Sequence, residues 1–411
     1  MISVQANITG NERSVLHSRE DRTRQAQTSI EEKKYTYAIH NIRRSENAVL
    51  LFNSDYVFKI LQPYKDQRYS LKERSERQDC LIEGWRWNTL FTRGIHRGLA
   101  RLYNYDPEKD KDPPSRLEVG RLLDPNREEL DKSAEYALVM RKLPKSYRLD
   151  MLLKDGDSDS QKHYTDIMTQ FLVHIHASLA FQLVESGENK DWGSVGQLAE
   201  KLIHNLVSVE TPCVPEEIVL KSARYRWLQS LCASLREKLL PVLTDNKYRE
   251  FQQFFTQRVK KQQIRRCHGD LKARNIWIMP DSPHQDMECP EIWNGVRVLD
   301  AIDFNPEFSN IDILSDFAML VADVDARAGS SELASSMIKD YLRLTKQEDK
   351  GSRFILNYYL VEKAFVGALV SILYDKNSWL SQRYLHLCER YLAEFEEKLP
   401  HTPLSALVSA H

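Results

Sequence analysis

The densest chemistry in the chain lies in Cys267-His268-Gly269-Asp270-Leu271-Lys272-Ala273-Arg274-Asn275, followed by the apolar run IWIM. About thirty residues on comes VLDAIDFN (298–305), with Asp300 and Asp303 closing a short apolar run. An Asp, an Asn five positions later and a further carboxylate are the residue types phosphoryl transfer needs. That reaction requires an acceptor oxygen aligned on the phosphorus and divalent metal to neutralise the phosphate oxygens. Asp270 can orient a hydroxyl and take its proton, the Asn275 amide oxygen can bind Mg²⁺, and a second carboxylate can bridge the metal ions. These are hard oxygen ligands, which suit Mg²⁺. The six cysteines are widely spaced without a C-x-x-C pair, which argues against zinc and against a disulfide framework. The competing reading is a structural loop in which Asp270 and Asn275 only cap turns.

Such groups need elements to hold them. YTYAIHNI, NAVLLFN and YVFKIL are short β-rich runs between Tyr35 and Leu61, with Asn53-Ser54-Asp55 as the turn between the last two. Leu81, Trp85 and Leu90 predict a helix over 70–93, and EYALVMRKL (135–143) predicts a strand stopped by Pro144. Residues 106–134, highly charged and carrying Pro113-Pro114, read as a surface excursion. Beyond 147 the pattern is mostly helical: Ile167, Phe171, Ile175 and Leu179 mark one helix within 161–185, and further helices are expected over 215–241, 245–263 and 311–399. Short strands return at 276–279 and 296–299. The layout is a tail (1–34), a small β-rich N-lobe (35–143), a larger helical C-lobe (144–400) and a terminal tail (401–411). A cleft between the lobes is the natural ligand site.

With 42% hydrophobic and 28% charged residues, the 411-residue chain can bury a core, which excludes wholesale disorder and a multi-span membrane protein. The net charge of −1 gives no whole-molecule attraction to nucleic acid or anionic lipid, so neither is expected as a partner. No basic stretch followed by an apolar run opens the chain, and a cytoplasmic location with free thiols is expected. Phe354–Tyr374 is apolar enough to resemble a membrane span, but Asn357, Glu362 and Lys363 within it point to a buried helix.

HGD-x-x-x-x-N followed by IDF resembles the aminoglycoside phosphotransferase and choline kinase branch of the protein-kinase-like fold. The order of SDYVFKIL, an acidic helix, YALVMRKLP, CHGDLKARNI, LDAIDFN and IDILSDFAML narrows the resemblance to a bacterial aminoglycoside phosphotransferase-like subfamily, some of whose members are fused to a P-loop kinase domain. No G-x-x-x-x-G-K-[ST] occurs in this sequence. The resemblance runs from about Tyr35 to about Phe395 and implies an α+β, bilobal protein-kinase-like fold. It also implies an ATP- and Mg²⁺-dependent kinase acting on a hydroxyl of a small molecule. Carried over residue by residue, Lys59 matches the lysine holding the α- and β-phosphates, with Glu83 orienting it and Glu76 or Glu73 as alternatives. Val139, Met140 and Arg141 match the hinge that holds the adenine through its backbone. Asp270 is the catalytic aspartate, and Asn275 and Asp303 are the metal ligands, the Ile-Asp-Phe pattern preferring Asp303 over Asp300. Asp316 braces the catalytic loop, His268 is architectural, Asp312 is a capping or solvated carboxylate, and Lys272 is either a γ-phosphate contact or a solvated lysine.

Two departures stand out. G-x-G-x-x-G is absent, and Asn53-Ser54-Asp55 in its place would set Asp55 against phosphates. The helix near 358–370, where basic residues are expected, keeps Lys363 but has Gly367. Sugar, amino-alcohol, nucleoside and aminoglycoside acceptors are all open; acidic surface near the catalytic loop would favour a cation. A protein kinase is a second reading, opposed by the absence of Ala-Pro-Glu and the short stretch after Asp303. A nucleotide-binding module without turnover is the third.

Overall fold

A computed structural model describes residues 33–45, 47–65, 69–92, 94–179, 191–212, 217–280, 295–303, 305–375 and 377–399. Both expected tails fall almost wholly outside these residues.

Seven antiparallel strands form the small lobe: β1 (Tyr35–Ala38), β2 (Asn41–Arg44), β3 (Ala48–Phe52), β4 (Tyr56–Leu61), β5 (His96–Leu102), β6 (Arg116–Leu123) and β7 (Tyr136–Arg141), in the order β1-β6-β5-β7-β4-β3-β2. β1 and β2 lie at opposite edges yet are separated by two residues, Ile39 and His40. Ile39 N–H donates to Ser115 O on one side (2.9 Å) and His40 N–H to Phe52 O on the other (2.8 Å), so the sheet curls until its edges meet. Period-two alternation then sorts the side chains. Phe58 and Ile60 of β4 point inward with Val49, Leu51, Leu117 and Val139, while Leu61 faces outward with Leu99 and Leu138 against helix α1 (Arg74–Phe91). Lys59, on that outer face beyond α1, is left to the cleft.

Two of these strands run through or beside the expected surface excursion. β6 occupies 116–123, and β5 precedes it. β6 is charge-rich because only alternate residues are covered (Leu117 and Val119 buried, Arg116 exposed). β5 is interrupted by Gly98, whose φ of 137° marks a register shift and whose missing side chain admits Leu123 O.

The large lobe holds α2 (Leu149–Asp155), α3 (Ser158–Ser178), α4 (Val195–Glu210), α5 (Ala223–Lys238), α6 (Arg249–Lys260), α7 (Ile313–Ala328), α8 (Ser331–Leu344), α9 (Lys350–Leu373) and α10 (Ser378–Glu396), with shorter helical turns between some of them. Its small strands pair as β8 (Ile264–Arg266) with β11 (Asn310–Asp312), and β9 (Ile276–Ile278) with β10 (Val296–Val298). The helix expected over 215–241 breaks where Ser222 caps α5 by accepting from Tyr225 N–H. α9 is the membrane-like segment; 83% of its apolar window is buried, between α7 and α10. Lys363 is buried beside Glu362 (3.2 Å). Gly367 makes room for the Tyr384 ring, so a basic side chain has no space there. The molecule is thus a two-lobed α+β protein whose lobes are joined by Arg141–Lys145 and by α1, which packs on the β10 segment.

Candidate active site

A cleft of about 840 Å³ separates the lobes, walled above by β3, β4 and β7 and below by the 274–277 turn and the starts or ends of α2, α7 and α10.

On the lower wall the HGD segment is held from beneath. Gly269 adopts φ 85°, and a Cβ there would meet Phe308 O, so only glycine makes this turn freely. Asp316 accepts from the N–H groups of His268 (3.1 Å) and Gly269 (2.9 Å). Asp323 accepts from Ala273 N–H at 2.7 Å. Seven residues are two helical turns, so one face of α7 presents both carboxylates to both ends of the loop. The run SDFAMLVADVDA carries aspartates at 316, 323 and 325, and the seven-residue spacing of the first two is the signal in the sequence that could have found Asp323. Asp316 is in turn contacted by His176 Nε2 (3.3 Å), whose Nδ1 lies 2.7 Å from the Tyr341 hydroxyl. Asp312 is not solvated: it caps α7 through Leu314 N–H and is bound by Arg258 in a buried pair (2.5 and 2.7 Å). The His268 ring is buried on Phe91, and its Nε2 lies 3.0 Å from Leu299 O, tying this loop to the 298–303 segment.

Lys272 Nζ lies 2.6 Å from Asp270 Oδ1, and Asn275 Nδ2 donates to Asp270 Oδ2 at 3.2 Å and to Asp270 O at 2.9 Å. Burial alone would raise the Asp270 pKa, but the charges of Lys272 and Arg274, with the Lys272 hydrogen bond, hold it at about 2. Asp270 is therefore a fixed carboxylate at neutral pH. Asn275 lines the cleft, and its Oδ1 accepts no hydrogen bond from the described residues. Lys272 is nearly buried and committed to Asp270.

Across the cleft Lys59 Nζ sits 3.7 Å from Asp300 Oδ1 and 3.9 Å from Asp303 Oδ2. Burial works against its charge, but the two carboxylates outweigh it and raise its pKa. Burial pushes Asp303 upward in spite of Lys59. Asp300 has φ 65°, a left-handed conformation that Asp tolerates better than most residues. Nearby His96 is pushed down to about 4 by burial and then by Lys59, so it is neutral at pH 7.

Three expectations need correction. Glu83 does not touch Lys59; it pairs with Arg266 at 2.5 Å, the guanidinium of which also stacks on Trp87 (4.1 Å). The alternatives are spent at the start of α1, where Glu73 is the N-cap and Glu76 accepts from Glu73 N–H and Ser70 Oγ. The helix turns Gly84 towards the site instead: a Cβ there would overlap Asp303 Oδ2. A glycine in mid-helix costs about 1 kcal/mol against alanine, a sign that this position serves a close approach. Second, Val139 and Met140 are inside the sheet, paired to Phe58 and Val57 on one side and to Gly98 and His96 on the other, and Val139 faces inward with Phe58 and Ile60. Arg141 N–H is taken by Ile95 O and Lys142 N–H by Asp55 O. Leu143 is the first residue past β7 whose N–H has no partner among the described residues, and it lines the cleft; Met140 contributes its side chain. Third, Asn53–Asp55 joins β3 to β4 and lies beside Lys142, whose Nζ donates to Asn53 O (3.1 Å), whereas β2 ends at Arg44 and β3 begins at Ala48. Asp55 is not among the residues that line the cleft; its carbonyl accepts from Lys142 N–H beside the segment that joins the lobes.

No protein-family model matches the chain, and no curated protein matches it. Among solved structures the chain is similar to a choline kinase from Cryptosporidium parvum, at 12% identity and TM-score 0.44, covering 94% of this chain and 97% of that one. It is similar to an aminoglycoside phosphotransferase, APH(2")-IIIa, in complex with GDP and kanamycin (12% identity, TM-score 0.42, 92% and 99% covered). A putative aminoglycoside phosphotransferase from Ralstonia eutropha gives 14% identity and TM-score 0.40 over 93% and 98% of the two chains.

Proposed function

We propose that the protein transfers the γ-phosphoryl group of ATP to a hydroxyl of a small molecule. The observation that carries this reading is Asp270: a half-buried carboxylate, ionised at neutral pH and gripped by Lys272 and Asn275, next to a cleft whose opposite wall presents Lys59 between two carboxylates. The nucleotide base fits between Phe52, Leu138 and Met140, with Leu143 N–H as its backbone donor. Lys59 binds phosphate oxygens as a point charge. Asn275 Oδ1, Asp303 and Asp300 are a hard-oxygen set that fits Mg²⁺, which would neutralise phosphate charge there.

In the reaction the acceptor oxygen forms a bond to the γ-phosphorus, the bond from that phosphorus to the bridging oxygen breaks, and its electron pair leaves with ADP. The acceptor proton passes to Asp270. A carboxylate with a pKa of about 2 is a weak base. Its main contribution is to align the hydroxyl, which suffices where the transition state is loose and the proton moves late. After Asp303 the chain turns at Asn305, which caps a single turn (Pro306–Ser309), and enters β11 at once. No segment is left to dock a peptide, which favours a small acceptor over a protein.

The test is thermal stabilisation of the full chain by Mg·ATP and Mg·GTP, followed by a γ-phosphate transfer screen over sugars, aminoglycosides, amino alcohols and nucleosides. Mg-dependent stabilisation and transfer lost in Asp270→Ala are expected. Absence of nucleotide binding would overturn the reading; binding without turnover on any acceptor would favour a nucleotide-binding module.

A further inference from the structure

Eight arginine and lysine side chains line the cleft against three aspartates. Part of this excess lies on the N-lobe and hinge side, where a nucleotide would use it. Three arginines do not. Arg148 at the start of α2, Arg274 in the catalytic turn and Arg327 at the end of α7 belong to three separate segments of the helical lobe and all line the cleft around Asn275. Arg148 grips Asp150 through Nε (2.5 Å) and Nη2 (2.8 Å), and Arg327 Nη1 lies 3.7 Å from the same carboxylate. Arg327 Nε donates to Asp323, and Arg274 Nη1 to Asp375 (both 2.8 Å). Arg148 Nη1, Arg327 Nη2 and Arg274 Nη2 have no partner among the described residues. The aspartates thus fix the guanidinium planes and leave one edge of each available.

We infer that the acceptor is an anion: a hydroxylated molecule whose carboxylate or phosphate docks on Arg148, Arg274 and Arg327. This rests on the phosphotransferase reading above and narrows its substrate. Guanidinium forks match both oxyanions, and charge-assisted hydrogen bonds of this kind are the strong ones. Among the described residues neither carboxylate of this wall is without a cation, since two guanidiniums cover Asp150 and Arg274 engages one oxygen of the exposed Asp375. A cationic acceptor would have to displace arginines to pair with them. Arg274 directly precedes Asn275 and is charge-coupled to Asp270, so an anion held there keeps its hydroxyl end within the reach of the catalytic turn.

The experiment uses the full chain with saturating Mg·ADP and titrates inorganic phosphate, gluconate and glucose 6-phosphate against glucose, glucosamine and kanamycin, read by thermal shift and calorimetry. The anions should bind at least tenfold more tightly than glucose, with gluconate and glucose 6-phosphate separating the carboxylate and phosphate cases. Arg148→Gln and Arg327→Gln, which lie outside the catalytic turn, should each weaken anion binding about tenfold while Mg·ADP affinity moves about twofold or less. Tighter binding or phosphorylation of kanamycin or glucosamine, binding of no anion, or a parallel loss of Mg·ADP affinity in these variants would overturn the inference. Failure to bind Mg·ADP, with anion binding retained and lost in the arginine variants, would sink the phosphotransferase reading and leave the anion site standing.

Discussion

Two turns meet at the cleft, and they are held very differently. The Asp270 turn has three of its backbone N–H groups fixed by buried aspartates of α7, and its carboxylate is bound at 2.6 and 3.2 Å. The Asp303 turn is tied through its main chain, by Ala301 N–H to Asn88 Oδ1 and Ile302 N–H to His268 O (both 2.9 Å). Its two carboxylates make only long contacts with Lys59, at 3.7 and 3.9 Å. On the proposed phosphotransferase reading the contrast separates two tasks. The group proposed to align the acceptor is set before substrate arrives, which is where preorganisation yields most. The groups proposed to meet cation and phosphate are loosely partnered, so Lys59 would be able to pass from carboxylate to phosphate as Asp300 and Asp303 take up positive charge.

The largest effect expected is at Asp270. Asp270→Asn should lower transfer by about a thousandfold, within the range for a positioned acid–base group, with Mg·ATP affinity changed about threefold or less. Single-turnover rates and calorimetry check this; more than a tenth of the activity remaining would show that the rigid turn is not catalytic. Asp303→Asn should act on both binding and transfer, cutting turnover by about a hundredfold and weakening nucleotide binding only when Mg²⁺ is present. A loss equal with and without the metal would mean that Asp303 serves Lys59 alone. Asp316→Ala removes the acceptor of two N–H groups, each costing about 1–3 kcal/mol when left unpaired in the interior. It should lower the urea midpoint and reduce kcat about tenfold while KM for ATP holds; an unchanged kcat would mean that the loop keeps its shape without this support. Glu83→Gln should change nucleotide affinity by less than about threefold, because Glu83 serves Arg266. A tenfold loss would instead show that the helix turns Glu83 onto Lys59 during the reaction.

The smallest effect is in pH. Asp270 is held at about 2 in the folded protein, against about 3.9 for an unperturbed Asp. A depressed carboxylate stabilises the fold above its unfolded pKa, and that contribution is lost as pH falls through the folded value. Urea midpoints of the native chain should therefore converge towards those of Asp270→Asn between about pH 4 and pH 2. Curves that stay parallel would place the depression elsewhere.

Much of the molecule was legible from local pattern. Lys59 was legible through the family resemblance of YVFKI, and Asp270 and Asn275 through their residue types and five-residue spacing in the HGD segment; in the structure the alternation of β4 leaves Lys59 to the cleft and the tight turn returns the Asn275 amide to Asp270. β5 and β6 were not legible, since Gly98 breaks one pattern and partial exposure fills the other with charge. Glu83 was misassigned for a related reason: residues 83 and 84 differ by a third of a helical turn, and only packing against Asp303 and Arg266 says which of them faces the site. The backbone groups of Val139 and Met140 were not available because the sheet, through β4 and β5, had already taken them, so the proposed adenine contact moves to Leu143.

By itself the sequence determined two lobes, a cleft and the residue types of phosphoryl chemistry, because these follow from periodicity and spacing along a few consecutive turns. Tertiary structure alone decided which carboxylates hold backbone, which hold Lys59, and that Arg148, Arg274 and Arg327 share one wall. Those three lie up to 179 residues apart, and no local pattern carries their common direction. Only the folding of α2, the catalytic turn and α7 against one another brings their charges together.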